Sequence, residues 1–285
     1  MKASKLKLGA VLLFMWTSAS HAGLIATFNE QGLTAADLQE TVDEFRDALG
    51  PNNGNSPVNG DPNGRRQIDW DALPDGLADP NLFPGDFFNG DSAPRARGIE
   101  FEATGDTTGF LVSSTAASGQ PIAFGFDRFL PRFSEERLFS PVGGTTFDIN
   151  FYDPSDQTTQ ATVRGFGAIF SGLDFLDTAQ MQFLNLAGEI IGSVNPLGTQ
   201  DFDLTFAGLI FDTPEVATVR VSGGNRFLSE NGVFEGGSGD GFAFDDFIFG
   251  EPIAVQNVNA SSPSAAALLF SLIAFATYRR SRLAA

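Results

Sequence analysis

Closely spaced aspartates in Asp- and Pro-rich turns are the residues of this sequence best suited to chemistry. The members of this group are Asp69, Asp71, Asp75, Asp79 and Asp86. Calcium takes about six to eight oxygen ligands, and carboxylates with turn carbonyls supply them. The spacing departs from an EF-hand loop, because Ala72-Leu73-Pro74 interrupts the ligand alternation. Two interpretations stay open: a calcium site, or acids that cap turns and pair with Arg65, Arg66, Arg95 and Arg97.

A second acidic group lies in the segment GFAFDDFIFGEP, which contains Asp245 and Asp246. Adjacent strand residues point to opposite faces, so one of these acids is expected to point inward or to an edge. The segment resembles the closing strand of lectin-like and carbohydrate-binding sandwiches, and that resemblance implies that an acid here ligates a structural calcium. Asp240 and Glu235 would complete such a site; the alternative is an edge acid beside an arginine.

The residue inventory excludes several catalytic classes. Every lysine and the single histidine precede Gly23, and the chain has no cysteine. A Ser-His-Asp triad, a cysteine nucleophile, a Schiff-base lysine and a histidine-ligated zinc are therefore excluded after that point. A carboxylate-based glycosidase or lyase remains as the alternative to a non-catalytic protein. Such an enzyme needs two acids at a defined separation in a cleft. Asp69, Asp71, Asp75 and Asp86 are the only acids dense enough to nominate, and no pattern pairs them.

Charge argues against a nucleic-acid partner. Between Gly23 and Ala260 the chain has 11 arginines and 35 acidic residues, a formal charge of −24. Binding to nucleic acid requires a basic surface. Cations are the natural counterions of this segment.

The elements that position these residues are mainly β. A strand is predicted at Leu24–Phe28, and a capping-box pattern at Thr34 begins a helix with an apolar stripe ending near Leu49. Residues 51–94 are predicted to be an ordered irregular excursion, because their apolar residues suffice to pack the segment down. Trp70 is expected to be buried and to fasten the segment to the sandwich; if exposed, it could stack on a sugar ring. Residues 95–252 contain short strands, one of them at Pro121–Phe126, which indicate an antiparallel jelly-roll-like β-sandwich. Phenylalanine numbers 30 against two tyrosines, so the aromatic residues are expected mostly to build the core.

Both ends of the sequence indicate export. Residues 1–22 combine a lysine-containing start, an apolar stretch and Ser20-His21-Ala22, which predicts a signal peptide cleaved between Ala22 and Gly23. A single uncleaved N-terminal helix is the alternative. Residues 253–260 form a linker. Residues 261–285 contain the uncharged run Ala265–Tyr278, expected to be a hydrophobic helix. The arginines that follow should keep the C-terminus cytoplasmic and leave the body outside.

The C-terminal segment resembles the PEP-CTERM sorting tails of Gram-negative bacteria. The resemblance is carried by Pro263, the apolar run and three terminal arginines, Arg279, Arg280 and Arg282. The family has Pro-Glu-Pro where this chain reads Ser262-Pro263-Ser264, so both processing and simple anchoring stay open. The resemblance implies an exosortase-type sorting enzyme, association with the membrane, and a link to exopolysaccharide and biofilm.

The body, with its segments GRRQIDWDALPD and DDFIFGEP, resembles an uncharacterised exported family, and that resemblance implies no known activity. We expect an exported protein of the cell envelope or extracellular matrix with a binding or structural role. The alternative is a carboxylate-based polysaccharide-active enzyme.

Overall fold

The computed structural model describes residues 23–198, 203–236 and 239–255. The expected signal peptide with Ala22, the sorting-tail residues Pro263, Arg279, Arg280 and Arg282, and the expected C-terminal helix lie outside the described residues. Among the described residues, no helix is long and apolar enough to cross a membrane.

The described chain is mainly antiparallel β-structure with a single α-helix, α1 (Ala35–Leu49). The strands are β1 (Leu24–Gly32), β2 (Arg65–Ile68), β3 (Ile99–Ala103), β4 (Gly109–Val112), β5 (Phe139–Val142), β6 (Phe147–Phe151), β7 (Ala161–Thr162), β8 (Gly165–Ser171), β9 (Ala179–Leu184), β10 (Ile190–Val194), β11 (Leu204–Phe211), β12 (Thr218–Gly223), β13 (Arg226–Leu228), β14 (Phe234–Gly236), β15 (Ala243–Gly250) and β16 (Ile253–Ala254).

Two larger sheets face each other as a sandwich. One follows the order β1-β11-β8-β15-β5-β13-β14, with β2 added on β15 and β4 on β5; the other follows β10-β9-β12-β6-β3. The strongly apolar strands β8, β11 and β15 are buried along their whole length. Phenylalanines from both sheets fill the space between them, which confirms their core role. The mainly β prediction is confirmed, while the jelly-roll topology stays a prediction.

Helix α1 covers the outer face of the larger sheet. Thr34 and Asp37 form the expected capping box, and the stripe Leu38, Val42, Phe45 and Leu49 is fully buried. Phe45 packs over Gly208, where an added Cβ would lie 2.8 Å from the Phe45 ring. Glycine at that position is therefore what lets the helix approach the sheet.

The segment 51–94 packs apolar residues into the core and contributes the strand β2, which pairs with β15. The prediction that the whole segment lacks regular structure was wrong at β2. Arg66 is buried there, so a charged residue occupies a position where a strand pattern would have an apolar one. Trp70 is buried as predicted: its ring stacks on Phe139 with centroids 4.5 Å apart, and its indole N–H donates to the Asp245 carbonyl. Trp70 thereby fastens the segment to the core.

A fully buried ion pair holds the same segment at β2. Arg66 Nε and Nη2 donate to the two carboxylate oxygens of Glu251, each at 2.7 Å, and neither side chain is exposed. Arg66 Nη1 also donates to the Ala96 carbonyl at 2.7 Å. Glu251 accepts further hydrogen bonds from Asn53 Nδ2 and the Gly60 amide, at 2.8 and 2.9 Å. Such a network offsets desolvation because nearly every polar group in it has a partner.

The segment Pro121–Phe126 is not a strand, contrary to the prediction. Residues Ala123–Gly125 form a short 3-10 helix in which Ala123 and Phe124 have left-handed backbone angles, with φ of 46° and 56°. The apolar residues there satisfied a strand pattern, but the local chain turns instead of extending.

We predict that Glu251→Gln lowers the free energy of unfolding by about 3 kcal/mol, because it leaves the Arg66 charge buried without its counter-charge. Urea unfolding measures this. The matched control is Asp127→Asn, which breaks the Arg132 pair at a carboxylate that is half exposed, and should cost less than about 1 kcal/mol. Equal losses in the two variants would contradict the assigned role of the buried pair.

Candidate binding cavity and buried carboxyl pair

Asp245 and Asp246 lie together at a β-bulge in β15. Phe244 pairs with Phe170 and Phe247 pairs with Ala168, so two residues of β15 stand opposite a single residue of β8. The Ser134 hydroxyl contacts both carboxyls, at 2.8 Å to Asp245 and 3.1 Å to Asp246. The expectation that the two acids point to opposite faces was wrong, because a bulge interrupts the alternation of a strand.

The carboxyl pair joins three parts of the fold. Asp245 accepts the Phe133 amide N–H at 2.7 Å, in addition to the Ser134 hydroxyl. Asp246 accepts Arg46 Nη2 from α1 at 3.1 Å. Both carboxyls are buried, so they connect the helix, β15 and the loop around Ser134 inside the protein.

Burial is the main cause of an elevated pKa in both carboxyls. It raises the pKa of Asp245 well above its ordinary value, and the neighbouring charge of Asp246 adds to the effect. Burial raises the pKa of Asp246 to about 6, against the hydrogen bond from Asp245 and the positive charge of Arg46. Two carboxyls in contact share a proton more readily than they carry two charges.

Two of the other predicted metal ligands, Asp71 and Asp75, accept hydrogen bonds from Arg137. Asp71 accepts the Arg137 amide N–H at 3.1 Å, and Asp75 accepts Arg137 Nη2 at 2.6 Å. Asp71 lies beside Asp69, and burial raises the pKa of Asp71. The arginine that donates hydrogen bonds to Asp71 and Asp75 is therefore Arg137. It was not among the arginines expected from the sequence to pair with these acids.

Asp240 fixes a loop instead of standing in an open acidic cluster. Its carboxylate accepts the amide N–H groups of Asp174 at 2.9 Å and Phe175 at 3.2 Å, and the hydroxyl of Thr178. Within residues 23–198, 203–236 and 239–255, no group of three or more potential ligands is placed to hold a metal ion. Calcium binding by Asp69, Asp71, Asp75, Asp240, Asp245 and Asp246 thus stays a prediction.

A cavity of about 620 Å³ opens where β8 ends and β15 begins. Its wall is formed by aromatic side chains, glycines and two charged residues, namely Phe126, Phe129, Leu130, Gly172, Asp174, Phe175, Arg226, Phe234, Gly239 and Gly241. This is within the size range of small-molecule sites, which combine apolar walls with a few polar groups.

Two rings of this cavity present large areas to solvent. Phe129 is 46% exposed and Phe175 is 44% exposed. Phe126 and Phe234 pack edge to face with centroids 5.0 Å apart, and the Arg226 guanidinium lies 5.8 Å from the Phe234 ring centre. The cavity therefore offers flat apolar surfaces beside a cation and the carboxylate of Asp174.

Tertiary contacts assemble this cavity from three distant segments. The Asp240 carboxylate holds the loop that carries Phe175, and Gly172 has the left-handed φ of 80° that turns the chain after β8. An added Cβ at Gly172 would lie 2.6 Å from Leu130, so a side chain there would disturb the wall. None of the lining aromatic or charged side chains was predicted as a site residue from the sequence. The signal available was the occurrence of phenylalanines in glycine-rich turns.

Comparisons with known proteins give no family. No family model matches the chain, and no curated protein matches it. A solved glycoside hydrolase family 43 arabinoxylan arabinofuranohydrolase from Bacillus subtilis, in complex with cellotetraose, aligns at 17% identity and a TM-score of 0.26, over 51% of this chain and 25% of that chain. The enzymatically active domain of bacteriophage CBA120 tailspike protein 4 aligns at 11% identity and a TM-score of 0.24, over 64% of this chain and 21% of that chain. Both TM-scores are too low to carry an argument about this protein.

We predict that the carboxyl pair makes the protein less stable as pH rises from about 4 through 6. A carboxyl whose pKa is raised by folding stabilises the folded state at low pH and loses that contribution as pH rises through the folded pKa. For Asp246 the loss is on the order of 3 kcal/mol, and Asp246→Asn should remove it. Urea unfolding from pH 4 to 8 measures the slope.

The control for this experiment is Asp43→Asn, which removes the other carboxylate on Arg46, also at 3.1 Å. Hydrogen bonds from Gln39 and Arg46 lower the pKa of Asp43, so its contribution is lost as pH falls. Asp43→Asn should keep the stability loss between pH 4 and 6. An Asp246→Asn profile parallel to that of the unmodified protein would refute the assignment.

Proposed function

We propose that this chain is an exported protein of the cell envelope or extracellular matrix that binds a saccharide non-catalytically. The observation that supports the binding role is the aromatic cavity, with its exposed Phe129 and Phe175 and the charged groups of Arg226 and Asp174. The body's charge of −24 argues against a nucleic-acid ligand.

A pyranose ring fits this lining for a physical reason. One face of such a ring presents C–H groups, which pack on an aromatic face and leave water with a gain in free energy. Its hydroxyls both donate and accept, so they can bond to the Arg226 guanidinium and the Asp174 carboxylate together. A purely aliphatic ligand would desolvate these charged groups without replacing their hydrogen bonds.

The cellular placement is a proposal from the sequence. The leader is removed after Ala22, and the segment 261–285 delivers the chain to an exosortase-type enzyme at the inner membrane. The C-terminal segment holds the protein at the membrane at least transiently. Exopolysaccharide outside the cell is the proposed binding partner. N-terminal sequencing that begins at Met1 would contradict the removal of the leader.

Calcium is proposed as a stabilising ion at Asp69–Asp86 or Asp240–Asp246. A preformed oxygen site prefers calcium to magnesium, which demands a tighter octahedron. A melting temperature that is equal in the two salts at matched ionic strength would leave these acids as turn caps and arginine partners.

The alternative function is a carboxylate-based glycosidase or lyase. The observation in its favour is that the Ser134 hydroxyl holds two buried carboxyls, Asp245 and Asp246, together. Burial raises the pKa of Asp246 to about 6, a value that suits an acid catalyst. Ser134 lies between this pair and a cleft of about 430 Å³ that Glu135 and Glu136 also line. Polysaccharide cleavage that Asp246→Asn abolishes in a folded protein would support this alternative over simple binding.

We predict that the full chain binds at least one oligosaccharide in a panel of glucose, galactose and uronic acid hexasaccharides. Phe129→Ala and Phe175→Ala should each weaken binding about tenfold, because each removes an aromatic surface from the ligand. Isothermal titration calorimetry measures the affinities.

Leu82→Ala is the matched control, because Leu82 is exposed to a similar extent, 47%, and is absent from the cavity lining. Its affinity should equal that of the unmodified protein. Failure of every hexasaccharide to bind, or equal losses in all three variants, would refute saccharide binding in the cavity.

A further inference from the structure

We infer that the end of the sandwich opposite the cavity is a membrane-contact surface, which rests on lipid headgroups and turns the cavity away from the bilayer. The inference rests on the proposed function for the membrane tether and for the role of the cavity. The surface itself, called the base below, is defined by Leu24, Ile25, Leu186, Ile190 and the residues around Val255.

Both chain directions leave the described structure at the base. The Gly23 amide N–H donates to the Asp212 carboxylate at 2.9 Å, and Leu24 pairs with Phe211. At the other terminus, Ile253 pairs with Thr162, whose hydroxyl donates to the Pro214 carbonyl at 2.9 Å. Gly23 and Ile253 are thus both tied to the short segment 212–214. The expected leader and the expected C-terminal helix therefore leave from the same end of the protein.

The length of chain beyond the base keeps it close to the bilayer. Nine residues, 256–264, separate Val255 from the start of the uncharged run at Ala265. Even fully extended, the ten steps from Val255 to Ala265 span at most about 36 Å. When the run is in the membrane, the base is the end of the sandwich nearest to it.

The base also carries exposed aliphatic side chains. Leu24 and Ile25 begin β1, and Leu186 and Ile190 belong to the β9–β10 hairpin; all four are exposed. Leu186 lines a cleft of about 470 Å³ together with Pro214 and Ile253–Val255. Exposed aliphatic groups beside a tether are suited to shallow insertion among headgroups.

Acidic groups at the base limit how deeply it can insert into the bilayer and which lipid headgroups it can contact. Asp212 and Glu189 are exposed, and Glu215 lines the cleft. Carboxylates are repelled by anionic lipids and are costly to desolvate. The base should therefore touch neutral headgroups more closely than anionic ones, without entering the hydrocarbon.

The cavity lies at the far end of the same strands. Strand β8 runs from Gly165, next to the base, to Ser171, and the cavity residue Gly172 follows at once. Strand β15 runs back from the cavity toward Glu251 and β16. Seven residues of extended strand cover about 23 Å, so the cavity lies about that far from the tethered end.

The absence of cysteine from the sequence allows a direct test. Leu186→Cys places a probe at the base and Val233→Cys places one at the cavity end, at hairpin positions that are 48% and 53% exposed. The full-length chain of each variant, labelled with an environment-sensitive fluorophore, is reconstituted into phosphatidylcholine vesicles that contain a headgroup nitroxide quencher. Quenching by the nitroxide reports the proximity of each probe to the headgroups.

We expect several-fold stronger nitroxide quenching at position 186 than at position 233. Leu24→Ser combined with Ile25→Ser should reduce quenching at position 186 and leave the melting temperature nearly unchanged. Anionic lipid in place of half of the phosphatidylcholine should also reduce it. These three results together would support the base as the contact surface.

Equal quenching at the two positions, or stronger quenching at position 233, would overturn the inference. Failure of the full-length chain to float with the vesicles would also overturn the inference, because the contact surface requires the protein to be tethered to the membrane. Hexasaccharide titration of the same vesicles distinguishes the two proposals. If no hexasaccharide binds and quenching is stronger at position 186 than at position 233, only the cavity function is refuted. If a hexasaccharide binds and quenching is equal at the two positions, only the contact surface is refuted.

Discussion

Arg66 and Glu251 form the contact on which the arrangement of the sandwich depends. Both side chains are fully buried, so each charge requires the other, and the backbone carbonyl of Ala96 and the amide of Gly60 satisfy much of the remaining hydrogen-bonding capacity. The pair ties β2 to the end of β15 and draws the preceding irregular segment against the body. Trp70 follows two residues after β2 and stacks on Phe139, which closes the core between the sheets.

Strand β15 connects that contact to the candidate binding cavity at its other end. Its eight residues are all buried, with the cavity before its first residue and Glu251 immediately after its last. The bulge at Asp245 and Asp246 lies between them and connects the strand to α1 through Arg46. A single strand therefore links the candidate binding end, the buried carboxyl pair and the end from which the chain leaves the sandwich.

Several buried carboxylates of this strongly acidic body accept hydrogen bonds from backbone amides, hydroxyls and arginines. Asp240 accepts two amide N–H groups and a hydroxyl, and Asp245 accepts an amide and a hydroxyl. Hydrogen bonds of this kind stabilise a buried carboxyl without requiring an equal number of cations. Asp71, Asp75 and Asp240 each accept hydrogen bonds from the protein. Among the described residues, the acids do not form a cluster placed to hold a metal.

Features that depend on neighbours along the chain could be predicted from the residue pattern alone. Local periodicity and composition account for the capping box and the apolar stripe of α1, the mainly β architecture, the phenylalanine core and the burial of Trp70. Other features depend on contacts between distant segments. Strand β2 was missed because Arg66 is charged, and only contact with Glu251 makes its burial favourable. The bulge depends on the register between β15 and β8, and the cavity joins Phe129, Phe175 and Arg226 across long separations in sequence. No local pattern encodes such pairings, because their free energy arises only when distant segments meet.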